Sequence, residues 1–386
     1  MSTKNTLKFI ESASLPYNGD MSYLEIIIPF ILPAPALAND LIKQVKAPAL
    51  AQLLAWSNTL NHHEFDAFAR LLPHQRLLYH PELNGYLTAF NTQAMNQSTH
   101  DSNHAEKSLS PKQLRDVEAE RLSSLPVTHL HMQALGLNCD DGYWLELSPC
   151  HIHVAMDHLV LMEPSRLQID EAQAKTLFDI AQSLVKELGF ELVYGTATQW
   201  FIRADEWHDM YTASLEACSG HPMTIWLAQG QHARAWRKLQ NEIQMAWHDH
   251  ELNQEREAQG KKAINTVWLH GGSNRQISDA NMAQACPDFA TWQTQKLRRV
   301  LLNQLSESAI NEDWGTWLQQ LEHLEQTWFA PLLAAFKAGK IKEVKFILSD
   351  EQRLHELKLT SLARWKVWRK ANLQALQTSF NLKGQA

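Results

Sequence analysis

The sequence lacks the cysteine patterns that mark disulfide frameworks and structural zinc sites. Its four cysteines, Cys139, Cys150, Cys218 and Cys286, lie far apart and form no CxxC pair. Paired or closely spaced cysteines are what both kinds of framework require. We therefore predict a reducing compartment, the cytoplasm, as the location of the protein.

Long apolar runs and an excess of positive charge are also missing. Residues 1–7 show no basic start before an apolar stretch, and the apolar run at residues 24–37 is interrupted by Glu25 and three prolines. The formal net charge is -7, whereas nucleic-acid-binding surfaces concentrate lysine and arginine. These features predict no signal peptide, no membrane partner and no nucleic-acid partner.

The length of the chain, 386 residues, suits two interleaved α/β units. Residues 23–32 form a short β-branched run that ends in prolines, which predicts a buried strand opening a central sheet. Apolar residues at helical spacing predict amphipathic helices over residues 41–78. Residues 91–110 are almost entirely polar and predict a mobile loop.

The pattern changes after Val127, where short apolar segments alternate with helical ones. Strands are predicted at residues 143–147, 151–154, 159–162, 190–194, 199–203 and 264–269. Helices are predicted at residues 171–188 and 231–250, which together with the strands indicates an α+β unit. Long helices are predicted beyond residue 288, followed by a strand at residues 344–348 and a basic, aromatic tail at residues 354–376.

Residues 241–272 form the most informative segment. On a helix, Asn241, Gln244 and His248 share a polar face at i, i+3 and i+7. His250, Asn253 and Arg256 follow near the helix end, and Gly260 predicts its stop. Asn265 then opens a strand that ends in the Gly271-Gly272 turn. Several side chains able to bind an anion are therefore expected to lie close together.

This segment resembles the archaeal-type cofactor-independent phosphoglycerate mutases, which belong to the alkaline phosphatase superfamily. The matching positions are Asn241, His250, Asn253, Arg256, Gly260, Asn265 and Gly271. Residues 241–245 and Trp268 resemble more closely a bacterial offshoot, the RpfE-type regulatory proteins. Glu251 and His270 depart from both patterns.

The resemblance implies an α/β fold in which an alkaline-phosphatase-like central sheet core carries an inserted α+β domain. The core would combine residues 1–125 with residues 273–386, and the insertion would span residues 126–272. The cleft between the two units would hold the ligand.

The catalytic metals of the mutases need residues that this sequence has largely lost. Such enzymes use a phosphorylated serine between two divalent metals, with an Asp-Gly pair after the first strand. Here that strand runs into Ile28, Pro29 and Phe30. The Asp-His pair expected near the C-terminus is Asp350 followed by Glu351, so Asp350 is the remaining metal-ligand candidate. We predict no cofactor, with a divalent metal such as manganese or zinc as the alternative.

The leading hypothesis is a catalytically degenerate, phosphoglycerate-mutase-like protein that binds a small anionic or phosphorylated ligand or acts as a regulator. The candidate ligand-binding residues are His250, Asn253, Arg256, Asn265, Asn241, His248 and His270. Arg256 would pair with the anion, and the asparagines would orient it. In the alternative interpretation, the same residues cap the helix and connect it to the strand of Asn265.

Two other functions remain open. An active phosphomutase or phosphohydrolase could use Asp350 together with relocated histidines. Its candidate pairs are His129 with His131, His151 with His153 and His248 with His250, none of which has an obvious carboxylate partner in the sequence.

An interaction protein could instead bind a protein partner or form a homodimer through the loop at residues 91–110 or through the tail. Because Trp365 and Trp368 are three residues apart, a helical tail would turn both toward the core and leave its cations in solvent.

Overall fold

The computed structural model describes residues 22–65, 69–79, 127–139, 142–155, 158–162, 164–273, 283–365 and 368–377. Strands in these ranges form two separate sheets. The loop predicted at residues 91–110 lies outside the described residues, so that prediction stays untested.

The strands of the described ranges are β1 Tyr23–Ile28, β2 Asn58–Glu64, β3 Trp144–Ala155, β4 His158–Met162, β5 Glu191–Thr196, β6 Gln199–Arg203, β7 Thr266–Ser273, β8 Gln284–Ala285, β9 Arg299–Leu301, β10 Glu343–Ser349 and β11 Arg353–Thr360.

The α-helices of the same ranges are α1 Ala38–Gln44, α2 Pro48–Trp56, α3 Pro73–Tyr79, α4 Thr128–Ala134, α5 Glu171–Glu187, α6 Leu215–Cys218, α7 Ala233–His248, α8 Glu251–Ala258, α9 Phe289–Gln295, α10 Ser306–Ile310, α11 Trp314–Leu324 and α12 Ala330–Lys337. A π-helical turn, Glu325–Phe329, joins α11 to α12. Among these described helices, none combines the length and apolar character needed to cross a membrane.

The first sheet has the strand order β2-β11-β10-β1-β9-β8. Strand β1 runs parallel to β10 and β9, whereas β11 pairs antiparallel with β10 and β2. Ile26 and Ile28 pack into the main apolar core beside α2 and α11, and Ile27 packs on the opposite face. A central parallel strand is covered on both faces, which explains its continuous apolar run. The strand predicted at the start of the chain is confirmed.

The prediction of helices over residues 41–78 is correct only in part. Helices α2 and α3 form there, but Asn58–Glu64 is an edge strand that pairs with β11. Most of its side chains are exposed, so the strand has no alternation of apolar and polar residues. Its conformation therefore depends on pairing with β11 and leaves no local signal in the sequence.

The second sheet is antiparallel and has the order β4-β3-β6-β5, with β7 also paired to β3. The two strands predicted at residues 143–147 and 151–154 are one long strand, β3. Its first part pairs with β6 and β7, and its second part pairs with β4. Leu145 and Leu147 pack into a second apolar core formed with α5 and α7.

The two sheets interleave along the chain. All strands of the second sheet lie within residues 144–273, and those of the first sheet lie before residue 65 and after residue 283. The predicted α/β class, a central sheet interrupted by an α+β unit, is confirmed. The exact boundaries at residues 126 and 272 stay predictions.

The helices predicted beyond residue 288 are also found. Trp317, Leu321 and Leu324 form the buried stripe of α11. The π-helical turn that follows contains Glu325, whose buried carboxylate accepts hydrogen bonds from the backbone amides of Ala49 (2.6 Å) and Leu50 (3.0 Å). Glu325 thereby caps the positive end of α2.

The expectation that Trp365 and Trp368 face the core from a helical tail is not met in the described residues. Residues Arg353–Thr360 form β11, and the chain continues in a short 3-10 turn, Ser361–Trp365. Trp365 and Trp368 are 67% and 73% exposed. The two tryptophans therefore do not face the core.

Candidate functional site

The end of β1 is apolar at the position where the mutases place a metal ligand. Phe30, Ile31 and Leu32 are at most 3% exposed. Phe30 has a positive φ of 58°, and its carbonyl accepts a hydrogen bond from the indole of Trp317 at 2.8 Å. Apolar side chains therefore fill the space beyond β1, and no carboxylate or imidazole of this segment is available to a cation.

The end of β10 carries Asp350, the candidate metal ligand. One carboxylate oxygen accepts hydrogen bonds from the backbone amides of Gln352 (2.8 Å) and Arg353 (2.6 Å). The other accepts hydrogen bonds from Nε (2.6 Å) and from a terminal nitrogen of the Arg353 side chain. Arg353 also donates to the carbonyl of Pro33 at 3.0 Å. Burial raises the pKa of Asp350, and the charge and hydrogen bonds of Arg353 oppose this rise. The carboxylate is therefore already neutralised by an arginine.

Helix α3 connects this edge of the first sheet to helix α6 of the second unit. His74 lies 3.4 Å from the hydroxyl of Ser349 at the end of β10, and burial lowers the pKa of His74 to about 3. The next residue, Gln75, donates to the carboxylate of Glu216 in α6 at 3.2 Å. Consecutive residues of α3 thus touch both units.

Arg70 holds the two units together beside α3. Its guanidinium donates to the carbonyls of Tyr211 (3.3 Å), Trp226 (3.4 Å) and Leu227 (3.2 Å). Its own carbonyl accepts the backbone amide of Ser214 at 2.9 Å. The relative position of the two units is therefore fixed by several hydrogen bonds at this point.

A group of polar side chains lies on one face of the second sheet. Side chains alternate along β3, so Glu146 and Ser148 point away from the core that contains Leu145 and Leu147. Glu146 is 1% exposed and Ser148 is 3% exposed. We call His131, Glu146, Ser148, Gln199, Glu216 and His270 the polar cluster.

Glu146 is the centre of the polar cluster. Its carboxylate lies 2.7 Å from Nδ1 of His131 and accepts a hydrogen bond of 2.7 Å from the amide of Gln199. Burial raises the pKa of Glu146, but His131, with smaller contributions from His270 and Gln199, outweighs burial and lowers it. Burial lowers the pKa of His131, and Glu146 more than reverses this effect. The two residues therefore form an ion pair, with a His131 side chain that is 45% exposed.

His270 occupies the other side of the polar cluster. Its Nε2 lies 3.0 Å from the hydroxyl of Ser148. Burial lowers the pKa of His270, while the charges of Glu146 and Glu216 act in the opposite direction. A neutral imidazole nitrogen can accept a hydrogen bond from the hydroxyl of Ser148, so the two side chains satisfy each other within the cluster.

The predicted histidine pairs form no metal site in the described residues. His129 and His131 lie on helix α4 and not on a strand, so their rings diverge, and Glu146 is a carboxylate partner that the sequence did not reveal. His151 and His153 share a face of β3 with ring centroids 5.8 Å apart, but Nδ1 of His151 donates to the carbonyl of Ala263 at 2.8 Å. No group of three His, Cys, Asp or Glu residues in the described ranges could hold a metal ion.

Arg256, the predicted anion ligand, is completely buried. Its guanidinium donates to the carbonyls of Lys262 (2.9 Å) and Leu167 (2.5 Å) and to the side chain of Gln173 (2.6 Å). Because its side chain has no exposed surface, a dissolved anion cannot contact it in this conformation. These bonds match the alternative interpretation, in which Arg256 holds the end of α8 in place.

Three further candidates also bond to the backbone. Asn253 is 2% exposed and donates to the carbonyls of Trp247 (2.8 Å) and Ile264 (2.9 Å). His250 caps α8 by accepting the amide of Leu252 at 3.1 Å. The side-chain amide of Asn265 forms hydrogen bonds with the backbone amide and the carbonyl of Ile152. Together these residues connect α7, α8, β7 and β3.

Two of the three remaining candidates, Asn241 and His248, lie together on the outer face of α7. They line an open cavity of about 440 Å³ with Gln244, Met245 and Asp249. His270 is separate from them and belongs to the polar cluster. The structure therefore divides the predicted site among a structural junction, a helix surface and the polar cluster.

A second cavity, of about 40 Å³, lies between the two units. Its polar lining consists of His153, Arg166, Ser219 and Asn311. Arg166 donates to the amide oxygen of Asn311 at 2.6 Å. Nδ1 of His153 is buried and has no hydrogen-bond partner among the described residues. This cavity therefore presents a cation and an imidazole at the same place.

Comparisons with known proteins find similarity in overall structure alone. No protein-family model matches the chain, and no curated protein matches its sequence. The chain is similar to the cofactor-independent phosphoglycerate mutase from Thermoplasma acidophilum, with 12% identity, a TM-score of 0.33 and coverage of 88% of this chain and 89% of that chain. It is also similar to the PH0037 protein from Pyrococcus horikoshii, with 7% identity, a TM-score of 0.42 and coverage of 92% and 91%. Because both TM-scores lie below 0.5, neither similarity carries an argument about function.

Four members of the polar cluster were not predicted from the sequence: Glu146, Ser148, Gln199 and Glu216. One signal was available, because Glu146 interrupts the apolar run at residues 143–147, and a charge in a buried strand needs a partner. The identity of that partner, His131, depends on how α4 packs against β3, which local patterns do not reveal.

Proposed function

We propose that this protein is a catalytically degenerate, phosphoglycerate-mutase-like protein that binds a small anionic ligand and acts as a regulator. The observation that carries this proposal is the pairing of Asp350 with Arg353 at the end of β10. The residues shared with the RpfE-type proteins, 241–245 and Trp268, favour regulation over turnover.

The Asp350–Arg353 pair opposes metal binding for an electrostatic reason. A divalent metal needs several oxygen or nitrogen ligands with free lone pairs and enough negative charge to offset its own. Asp350 already accepts four hydrogen bonds, two of them from a guanidinium. A metal would have to displace Arg353 and leave its charge buried, since Arg353 is 7% exposed.

The cavity between the two units is the place we propose for the ligand. Arginine is suited to bind carboxylate and phosphate groups, and a neutral or charged histidine adds a further donor. Arg166 comes from the second unit and Asn311 from the first, so one anion would contact both. Binding there would stabilise one arrangement of the two units, as a regulatory ligand must.

Metal analysis and activity assays test the loss of catalysis. The purified full-length protein is assayed with 3-phosphoglycerate and with a generic phosphomonoester in the presence of manganese, cobalt or zinc. We expect no bound metal and no turnover above that of the Asp350→Ala variant. Turnover that the wild-type protein shows and Asp350→Ala loses would make the proposal wrong.

Calorimetric titration with inorganic phosphate and with 3-phosphoglycerate tests the ligand site. We expect the Arg166→Gln variant to bind about tenfold more weakly, the loss of one charge-assisted contact. The matched control is Arg234→Gln, which removes an exposed arginine from α7 and should bind like the wild type. Equal affinity of the wild type and Arg166→Gln, or no binding of either anion, contradicts the ligand proposal but leaves the loss of catalysis untouched.

A further inference from the structure

The described segment after β11 carries three exposed large apolar side chains. Leu362, Trp365 and Trp368 are 74%, 67% and 73% exposed, and they lie within seven residues of one another. We call these three side chains the tail surface. Single exposed apolar residues are common on proteins, but a group of large ones marks a contact site.

The segment that carries the tail surface is hydrogen-bonded to helix α2. The guanidinium of Arg369 donates to the carbonyls of Ala55 (3.2 Å) and Ser57 (3.3 Å), just at the end of α2. The backbone amide of Asn372 donates to the carbonyl of Ala51 at 3.2 Å. Because the segment is anchored to α2 on one side, its two tryptophans are presented outward from a structured element.

The charge of this segment is opposite to that of the rest of the protein. Residues 357–386 contain no aspartate or glutamate and have six basic residues, Lys358, Arg364, Lys366, Arg369, Lys370 and Lys383. The remainder, residues 1–356, has a formal charge of -13. A partner with negative charge is therefore attracted to the tail and repelled elsewhere.

We propose that the tail surface docks on an anionic lipid membrane. Tryptophan is favoured at the boundary between lipid and water, because its ring is apolar and its N–H is polar. Basic residues beside it are attracted to anionic headgroups. Leu362 distinguishes this partner from single-stranded nucleic acid, which uses aromatic side chains for stacking but gains little from an aliphatic one.

The contact is peripheral and independent of the function proposed above. It needs no membrane-spanning element. From the sequence, no membrane partner is predicted, and Trp365 and Trp368 are expected to face the core. Because both side chains are exposed in the structure, they are available to a membrane surface.

Co-sedimentation of the full-length protein with vesicles tests the proposal. Vesicles of phosphatidylcholine with phosphatidylserine are compared with vesicles of phosphatidylcholine alone. We expect binding to the anionic vesicles and about tenfold weaker partition for the Trp365→Ser, Trp368→Ser double variant. Brominated acyl chains should quench part of the tryptophan fluorescence of the wild type, and the double variant should lose this quenching.

Two further variants make the experiment specific. Lys370→Glu should weaken partition on anionic vesicles and have no effect on neutral ones, because it reverses an exposed charge. Met245→Ser, which removes an apolar residue that is 74% exposed on α7, is the matched control and should bind like the wild type. Circular dichroism of each variant establishes that it is folded.

The proposal is overturned if the wild type does not bind anionic vesicles, or if the folded double variant binds them as well as the wild type does. Binding of a labelled single-stranded oligonucleotide without any binding of vesicles also overturns it and identifies the tail as a nucleic-acid contact.

Discussion

Asn265 is hydrogen-bonded to Ile152 through both atoms of its side-chain amide. Its Oδ1 accepts the amide of Ile152 at 2.7 Å, and its Nδ2 donates to the carbonyl of Ile152 at 2.9 Å. The backbone pairing of β7 with β3 ends at Thr266, opposite Cys150. The side chain of Asn265, the residue before β7, extends this pairing by one more residue of β3. The side chain imitates the two hydrogen bonds of a neighbouring strand.

Replacing Asn265 with aspartate should destabilise the protein by about 2 kcal/mol. The shape is retained, but a carboxylate oxygen then faces the carbonyl of Ile152 where a donor is required. Urea unfolding measures the change. Asn241→Asp is the control, because Asn241 is exposed on α7, and it should change the free energy of unfolding much less. Similar effects of both substitutions would contradict a structural role for Asn265.

Arg256→Met should destabilise the protein by about 3 kcal/mol, since it leaves the carbonyls of Lys262 and of the buried Leu167 without their donor. Urea unfolding is again the measurement, with Arg234→Met, an exposed arginine of α7, as the control. If Arg256→Met were as stable as the wild type but no longer bound phosphate, the residue would be a ligand after all.

The strong local patterns of the sequence predicted much of the fold. The helix at residues 171–188 and the strand at residues 199–203 are found almost at the predicted bounds, because each has a clear period of apolar residues. Strand β2 was missed because it is polar and is held by β11. The expected burial of Trp365 and Trp368 was wrong, because their spacing in the sequence cannot show whether they have a surface to pack against.

The candidate site was predicted less well for a related reason. Asn253, Arg256 and Asn265 have side chains that suit a ligand and a backbone carbonyl equally well, and the choice depends on burial. In the polar cluster, nothing in the sequence indicated that the residues would be neighbours. His131 and Glu146 are fifteen residues apart in sequence and come together when α4 packs on β3. Glu325 caps α2 across an even longer separation.

Stability should fall in acid because of buried histidines. Burial lowers the pKa of His355 to about 4 and that of His74 to about 3, from an ordinary value of 6.5. Below pH 6.5 the unfolded chain therefore takes up protons that the folded chain does not. The free energy of unfolding should fall by about 1.4 kcal/mol per pH unit for each histidine as the pH decreases from 6.5 toward its folded pKa.

The His355→Gln variant tests this pH dependence. Glutamine can still donate to the carbonyl of Ala375, which His355 contacts at 3.1 Å, but it does not titrate. Urea unfolding over a pH series should therefore show a shallower decline below pH 6.5 than in the wild type. His248→Gln changes a side chain that is 80% exposed and should keep the wild-type slope. An unchanged slope in His355→Gln would show that His355 is not responsible.

Glu146→Gln should lower the pKa of His131. The carboxylate of Glu146 is the main cause that raises that pKa, so in its absence burial of the ring is opposed only by the weaker effect of Glu216 and favours the neutral imidazole. NMR titration of the histidine ring signals measures the change, with the signal assigned from a His131→Gln variant. Glu187→Gln, at an exposed position of α5, is the control and should leave the titration unaltered. If the pKa of His131 did not move, the positive charge in the polar cluster would have a source other than Glu146, and Glu216, whose charge also raises the pKa of His131, would be the next residue to replace.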